Sequence, residues 1–224
     1  MTSEFVKLVT SILWFGFAVS ALCLFYKTIR DKLLPNLTSF SAMGVELSFV
    51  KESMDNAVKA GMEHDASLEL AEKSSQWKIA VSQGDKERAL NRVKQHLKIL
   101  RDAQILWVDD HPENNLNERR MFRQLKTEID IARNTKEALD MLKGGKYDLV
   151  ISDMARDNEA PDDSKTAGLR FLKKFRETGK TTPVIFYIGV DDPEKGVPAQ
   201  AFGITNRPDA LLHLTLDALE RTRH

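Results

Sequence analysis

The 224-residue chain has one cysteine, Cys23, so it can form no intrachain disulfide and no cysteine-based metal site. A charge excess of either sign is also missing. Lys and Arg number 33 and Asp and Glu number 33, leaving no net charge, and the basic surplus of a dedicated nucleic-acid binder is absent. No nucleic-acid partner is therefore expected. The five histidines, His64, His96, His111, His213 and His224, are scattered without ligand spacing. No glycine-rich phosphate loop, nucleophile elbow or internal repeat is visible, so those routes to enzymatic chemistry have no motif to stand on.

One stretch lacks charge altogether. Leu8 to Tyr26 is nineteen residues without Asp, Glu, Lys or Arg and holds Trp14, Phe15, Phe17, Phe25 and Tyr26. At about 1.5 Å per residue such a helix just spans a hydrocarbon core of roughly 30 Å. A cleaved signal peptide is the competing reading. Against it, Glu4 accompanies Lys7 in the leading segment, Ala18-Val19-Ser20 is a middling cleavage site, and Leu22 spoils the lipoprotein-like box ending at Cys23. Residues 1–30 are thus expected to form an uncleaved transmembrane anchor, with the membrane as a partner through residues 8–26. Gly16 and Ser20 form a small-xxx-small pair suited to helix packing in lipid, and oligomerisation of the chain is one possible consequence. Lys27, Arg30 and Lys32 follow the apolar run while Lys7 alone precedes it, so the positive-inside rule predicts a single-pass protein of an inner or plasma membrane with its C-terminal part cytoplasmic.

Residues 31–102 read as a mainly helical juxtamembrane region. Val45, Leu47 and Phe49 alternate with Glu46 and Ser48, which predicts a short strand, followed by a helix through Val58. Ala66 to Val81 and Lys86 to Arg101 read as helices joined by Ser82-Gln83-Gly84-Asp85, with Asp85 as the cap. Leu90, Val93, Leu97 and Leu100 form an apolar stripe on the second helix, suited to a helical hairpin or a short coiled coil. Its other face carries Lys86, Arg88, Arg92, Lys94, Lys98 and Arg101, a solvated face or one able to touch anionic head groups.

From 103 to 224, strand-like runs alternate with helical patterns, the signature of an α/β domain with a parallel sheet. Ile105-Leu106-Trp107-Val108 ends in Asp109-Asp110-His111, and Tyr147-Asp148-Leu149-Val150-Ile151-Ser152 ends in Asp153. Side by side and parallel, these strands bring three carboxylates to the carboxyl edge of the sheet, where open α/β folds place ligands. Such a cluster is tolerable around a hard divalent cation, and Mg²⁺ is the usual choice where carboxylates share it with phosphate and water. Further strands are expected at Glu128–Ala132, Pro183–Ile188 and Ala201–Thr205. Helices are expected at Glu113–Lys126, Thr135–Leu142 stopped by Gly144-Gly145, Leu169–Glu177, and after Pro208.

Three runs, Asp109-Asp110 after the first strand, Glu137-Ala138-Leu139 and Tyr147-to-Asp153, together with Thr182-Pro183-Val184-Ile185, resemble the receiver domain of two-component response regulators. The resemblance covers roughly the last 120 residues. It implies a flavodoxin-like sheet of five parallel strands, Asp153 as phosphoacceptor, and Mg²⁺ held by Asp109, Asp110, Asp153 and the backbone carbonyl of Ala155. It also implies a histidine kinase or another signalling protein as partner, and enzymatic activity no greater than self-phosphorylation from a phosphodonor. The chain departs from the family where receivers place a Thr or Ser after the fourth strand, which here is Ile188, and at the Lys before the final Pro, here Arg207, taken as the phosphate contact. The loop from Met154 to Ala167 is long and carries Asp157, Glu159, Asp162 and Asp163, while Gly189 to Gln200 leaves little room for a fourth helix. Three functions follow: a membrane-anchored receiver controlled by phosphorylation of Asp153, a pseudo-receiver acting as a protein- or ligand-binding assembly module, or a membrane effector triggered by oligomerisation.

Overall fold

The computed structural model describes residues 2–28, 34–71, 81–158, 165–189 and 196–223. It divides the chain into two units, Met1–Val45 and Glu46–His224. The described residues from Glu46 onward fall in the second unit.

Helix α1 (Thr2–Thr28) covers the uncharged stretch. Its Ile12, Leu13, Trp14, Phe15 and Phe17 are 62–73% exposed. Among the described residues, no helix is long and apolar enough to cross a membrane, so the expected transmembrane anchor at residues 8–26 is not supported. The Ser11 hydroxyl bonds back to the Lys7 carbonyl at 2.9 Å.

Helix α2 (Leu34–Ala71) replaces the strand expected at Val45–Phe49. The residues it buries are Val50, Met54, Ala57 and Val58, spaced as one helical face, while Val45 and Phe49 remain about half exposed at 53% and 48%. Period-two alternation over five residues lost to a longer period-3.6 pattern. The helix expected from Ala66 to Val81 is described only as far as Ala71, and 72–80 lie outside the described residues.

Helix α3 (Gln83–Leu100) starts at Ser82, not Asp85. The Ser82 hydroxyl accepts the Asp85 N–H while the Asp85 carboxylate accepts the Ser82 N–H, a reciprocal capping box. Ala89, Val93, Leu97 and Leu100 are buried, so the apolar stripe is real, with Ala89 in place of Leu90. The basic face is less free than expected. Lys86 is buried and pairs with Asp55 of α2 at 2.5 Å, and Arg92 pairs with Asp217 and Glu220.

The rest of the unit is a five-stranded parallel sheet: β1 (Gln104–Val108), β2 (Glu128–Ala132), β3 (Leu149–Ser152), β4 (Val184–Tyr187) and β5 (Gly203–Thr205), in the order β2-β1-β3-β4-β5. This order belongs to the flavodoxin-like doubly wound sheet, whose switch point lies between β1 and β3. A 3-10 turn (Pro112–Asn115) leads into α4 (Leu116–Gln124), which is shorter than the helix expected over Glu113–Lys126. Helices α5 (Thr135–Gly144), α6 (Ala167–Glu177) and α7 (Pro208–Thr222) complete the element order. Asn134 caps α5 through the Glu137 N–H. Pro208 opens α7, where its missing N–H is harmless.

The central strands β3 and β4 are buried along their whole length, as expected for parallel strands covered on both faces. Leu106, Val108, Val150, Val184 and Phe186 meet Ala138 and Leu142 of α5 and Phe171 and Phe175 of α6 in one core. Each fully buried Phe there contributes about 2–3 kcal/mol from area removed from water. On the opposite face of β1, Trp107 makes edge contacts with Phe122 of α4 and Tyr187 of β4 at 6.5 and 6.1 Å between ring centres.

Candidate functional site

Val108 of β1 pairs with Ser152 of β3, so the next residues, Asp109 and Asp153, leave the sheet on one rung. The ladder extends past both strand ends. The Asp109 N–H donates to the Ala132 carbonyl and the Asp153 N–H to the Val108 carbonyl, each at 2.9 Å. Asp109, Asp110 and Asp153 each offer a carboxylate oxygen, and these oxygens lie within 4.8 Å of one another. The convergence expected from the sequence is thus present at the switch point of the sheet.

The three carboxylates are held differently. Asp109 is 2% exposed, and its oxygens accept the His111 N–H at 2.9 Å and the Asn115 side-chain amide at 2.7 Å. Asp110 accepts the N–H groups of Asp157 and Asn158, at 2.7 and 3.4 Å. Asp153 accepts the Met154 N–H at 2.6 Å. Burial, and then the charge of Asp109, push the Asp153 carboxyl up to about 6, against the opposing pull of the Met154 and Ala155 N–H groups and the Arg156 charge. Three carboxylate oxygens within 4.8 Å of one another fit a hard cation such as Mg²⁺, an oxygen-seeking ion that keeps part of its water.

Residues that the sequence reading did not single out complete the site. Arg156 is fully buried three residues beyond Asp153. It donates to the Ser152 hydroxyl at 3.1 Å, the Asp153 carbonyl at 2.9 Å and the Thr135 hydroxyl at 2.9 Å, tying the end of β3 to the start of α5. Gly168, in the first turn of α6, lies against the same loop. A Cβ there would meet the Asp153 carbonyl oxygen at 2.7 Å, the Phe186 ring at 2.8 Å and the Met154 Cα at 2.9 Å. Glu118 of α4 is buried and accepts the Tyr187 hydroxyl at 2.7 Å. No local sequence signal marks Arg156 or Glu118, because their neighbours come from distant elements.

His111 remains exposed, its Nδ1 3.2 Å from Glu113 and its Nε2 3.9 Å from Asp110, and the Glu113 carboxylate favours its protonated form. Ile188 follows β4, packs partly against the core, and donates its N–H to the Thr205 carbonyl at 3.1 Å, so an apolar side chain stands where a Ser or Thr was expected by resemblance. Arg207 has two carboxylate partners outside the cluster, Asp209 at 2.7 Å and Asp85 of α3 at 3.1 Å. The charge that bears on Asp153 is instead that of Arg156. In the long loop after Asp153, the Asp157 N–H serves Asp110, while Glu159, Asp162 and Asp163 lie outside the described residues, as do Asp191 and Asp192.

Among known proteins, residues 105–206 match the family model of the response regulator receiver domain. Similar solved structures include the chemotaxis response regulator CheY4 of Vibrio cholerae, 23% identical over 52% of this chain and 98% of that one, with a TM-score of 0.42. Another is the response regulator TrrA from Thermotoga maritima, solved in complex with Mg²⁺-BeF, 24% identical over 52% of this chain and 98% of that one, with a TM-score of 0.43. A third is the signal receiver domain of an HD domain-containing protein from Pseudomonas fluorescens, 23% identical over 55% of this chain and 98% of that one, with a TM-score of 0.46. The comparison with curated proteins finds no match. Residues 105–206, somewhat under half of the chain, are thus similar to response regulator receiver domains.

Proposed function

We propose that the chain is a signalling protein whose receiver domain accepts a phosphoryl group on Asp153. The observation that carries this reading is the convergence of Asp109, Asp110 and Asp153 within 4.8 Å at the switch point of the sheet. Asp109, Asp110, Asp153 and the backbone carbonyl of Ala155 would hold Mg²⁺, which supplies positive charge to screen the carboxylates and the phosphoryl oxygens. One Asp153 carboxylate oxygen attacks phosphorus. A new O–P bond forms, the bond between phosphorus and the donor breaks, and the donor group departs with the electron pair and is protonated by water. The Met154 N–H steadies the carboxylate for that attack, and the buried Arg156 keeps the loop carrying it in place.

The partners proposed are a histidine kinase or another signalling protein as phosphodonor and a protein that reads the change. A cytoplasmic location of the receiver agrees with its need for such donors. The exposed apolar side chains of α1 support association of the first unit with a membrane face.

Ile188 and the engagement of Arg207 elsewhere favour a second reading, a pseudo-receiver that serves as an assembly module without phosphorylation. Incubation of the full chain with acetyl phosphate and Mg²⁺, followed by intact mass measurement, separates the two. Gain of one phosphoryl group, absent in Asp153→Asn, supports phosphorylation. An unchanged mass in the folded protein supports the assembly module.

A further inference from the structure

We infer that Arg156 is a positioning residue of the carboxylate site and its internal counter-cation, held against the Asp153 main chain so that part of the cluster's charge is balanced from the protein side. The inference rests on the Mg²⁺ and phosphoryl reading of Asp153 proposed above and adds which residue of this chain sets how strongly the cluster attracts the ion.

The loop after β3 turns one charged side chain inward. Ala155 and Asp157 are exposed, yet Arg156 between them is 0% exposed. The two arms of its guanidinium have different partners. Nη1 donates to the Ser152 hydroxyl and the Asp153 carbonyl at 3.1 and 2.9 Å, while Nη2 donates to the Thr135 hydroxyl at 2.9 Å, at the start of α5. A planar fork meets these oxygens together, and the cation is locked against the residue whose side chain carries the reacting carboxylate.

On either side of Arg156 the same loop binds a carboxylate of the cluster. The Met154 N–H donates to Asp153 at 2.6 Å and the Asp157 N–H to Asp110 at 2.7 Å, so anchoring Arg156 fixes both donors. A guanidinium withdrawn from water is costly unless it is hydrogen-bonded and opposed by negative charge. Three carboxylate oxygens within 4.8 Å are costly unless positive charge opposes them. Placed together, each charge offsets part of the other's cost. The Arg156 charge does act on the Asp153 carboxyl, against burial and Asp109.

A counter-cation differs from a purely structural tie in two ways. A fixed positive charge repels Mg²⁺ as it attracts carboxylates, so its removal leaves a more negative site that holds the ion more tightly. Cutting a purely structural tie loosens the loop and weakens the site. A counter-cation is also coupled to the Asp153 charge when no metal is present, whereas a structural tie acts independently of it.

The test compares the full-length wild type with Arg156→Met, Arg156→Lys, Asp153→Asn and the double variant Arg156→Met, Asp153→Asn. Methionine keeps an unbranched side chain without the charge, and asparagine at 153 keeps the main-chain carbonyl that Arg156 bonds. Mg²⁺ affinity is read by titration calorimetry and metal-free stability by urea denaturation at pH 7. The counter-cation predicts that Arg156→Met binds Mg²⁺ about three- to tenfold more tightly than the wild type, and that Arg156→Lys, which restores the charge, returns close to the wild-type affinity. It also predicts that the rise in folding constant caused by Asp153→Asn is about threefold or more larger in the Arg156→Met background than in the wild type. Equal or weaker Mg²⁺ binding by Arg156→Met, Arg156→Lys binding as tightly as Arg156→Met, or additive effects on metal-free stability overturns the inference alone. If Arg156→Met does not fold, the double variant should fold again, and a double variant equally unfolded overturns the inference. No Mg²⁺ binding by the folded wild type overturns the phosphoacceptor reading, and the metal-free comparison then decides the counter-cation by itself.

Discussion

The Tyr187 hydroxyl donates to the Glu118 carboxylate at 2.7 Å across the interior between β4 and α4. Burial raises the Glu118 carboxyl above its ordinary 4.5 despite that hydrogen bond, and burial likewise pushes the Tyr187 phenol well up. In the folded state Glu118 holds its proton at pH values where the unfolded chain has released it. Its contribution to stability is therefore complete below 4.5 and is lost as pH rises through the raised folded value. Urea denaturation of Glu118→Gln from pH 4.5 upward should show a flatter decline in stability than the wild type. Tyr187→Phe, which removes the carboxylate's donor, should cost about 1–3 kcal/mol.

Gly168 exists for the sake of the loop behind it. Gly168→Ala drives a Cβ against the Asp153 carbonyl and the Met154 backbone, neither of which can yield as a side-chain tip would. The expected result is a loss of about 1–3 kcal/mol by chemical denaturation, together with weakened Mg²⁺ binding.

The carboxylate cluster should be a net burden on the metal-free fold. At pH 7, Asp153→Asn should raise metal-free stability by about 1–3 kcal/mol, because it removes a buried charge that Asp109 repels. Mg²⁺ at about a hundred times its dissociation constant should stabilise the wild type by about 2.7 kcal/mol. Thermal melts of both proteins with and without the ion check this. The ion should shift the wild type and leave Asp153→Asn almost unmoved.

The exposed Leu13, Trp14, Phe15 and Phe17 of α1 should bring the full chain to lipid vesicles in a flotation assay. Phe17→Lys should reduce the floating fraction several-fold, and equal flotation of the two proteins would remove the membrane from the account.

The sheet was legible because its strands are short apolar runs bounded by turns. The carboxylates were legible because each follows such a run, so the topology alone delivers them to one edge. β2 matches its expected bounds, and Pro208 opens α7 as its fixed backbone angle favours. The failures share one physical origin. The alternation of Val45, Leu47 and Phe49 reads as a strand only until Val50 and Met54 are known to face a core formed with distant elements. The Arg207–Asp85 pair could not be foreseen from local sequence, since Asp85 lies more than a hundred residues earlier in the chain. Arg156 and Glu118 have no local pattern at all, since burial of a charged side chain depends on which elements fold over it.

Titration of Mg²⁺ with beryllofluoride into the full chain, with Trp14 and Trp77 replaced by Phe, tests the phosphoacceptor pocket most directly. Trp107, 1% exposed and two residues before Asp109, then reports alone. The account predicts a saturable fluorescence change that needs both Mg²⁺ and beryllofluoride and disappears in Asp153→Asn. A folded protein that gives no such change, or gives the same change in Asp153→Asn, would contradict it.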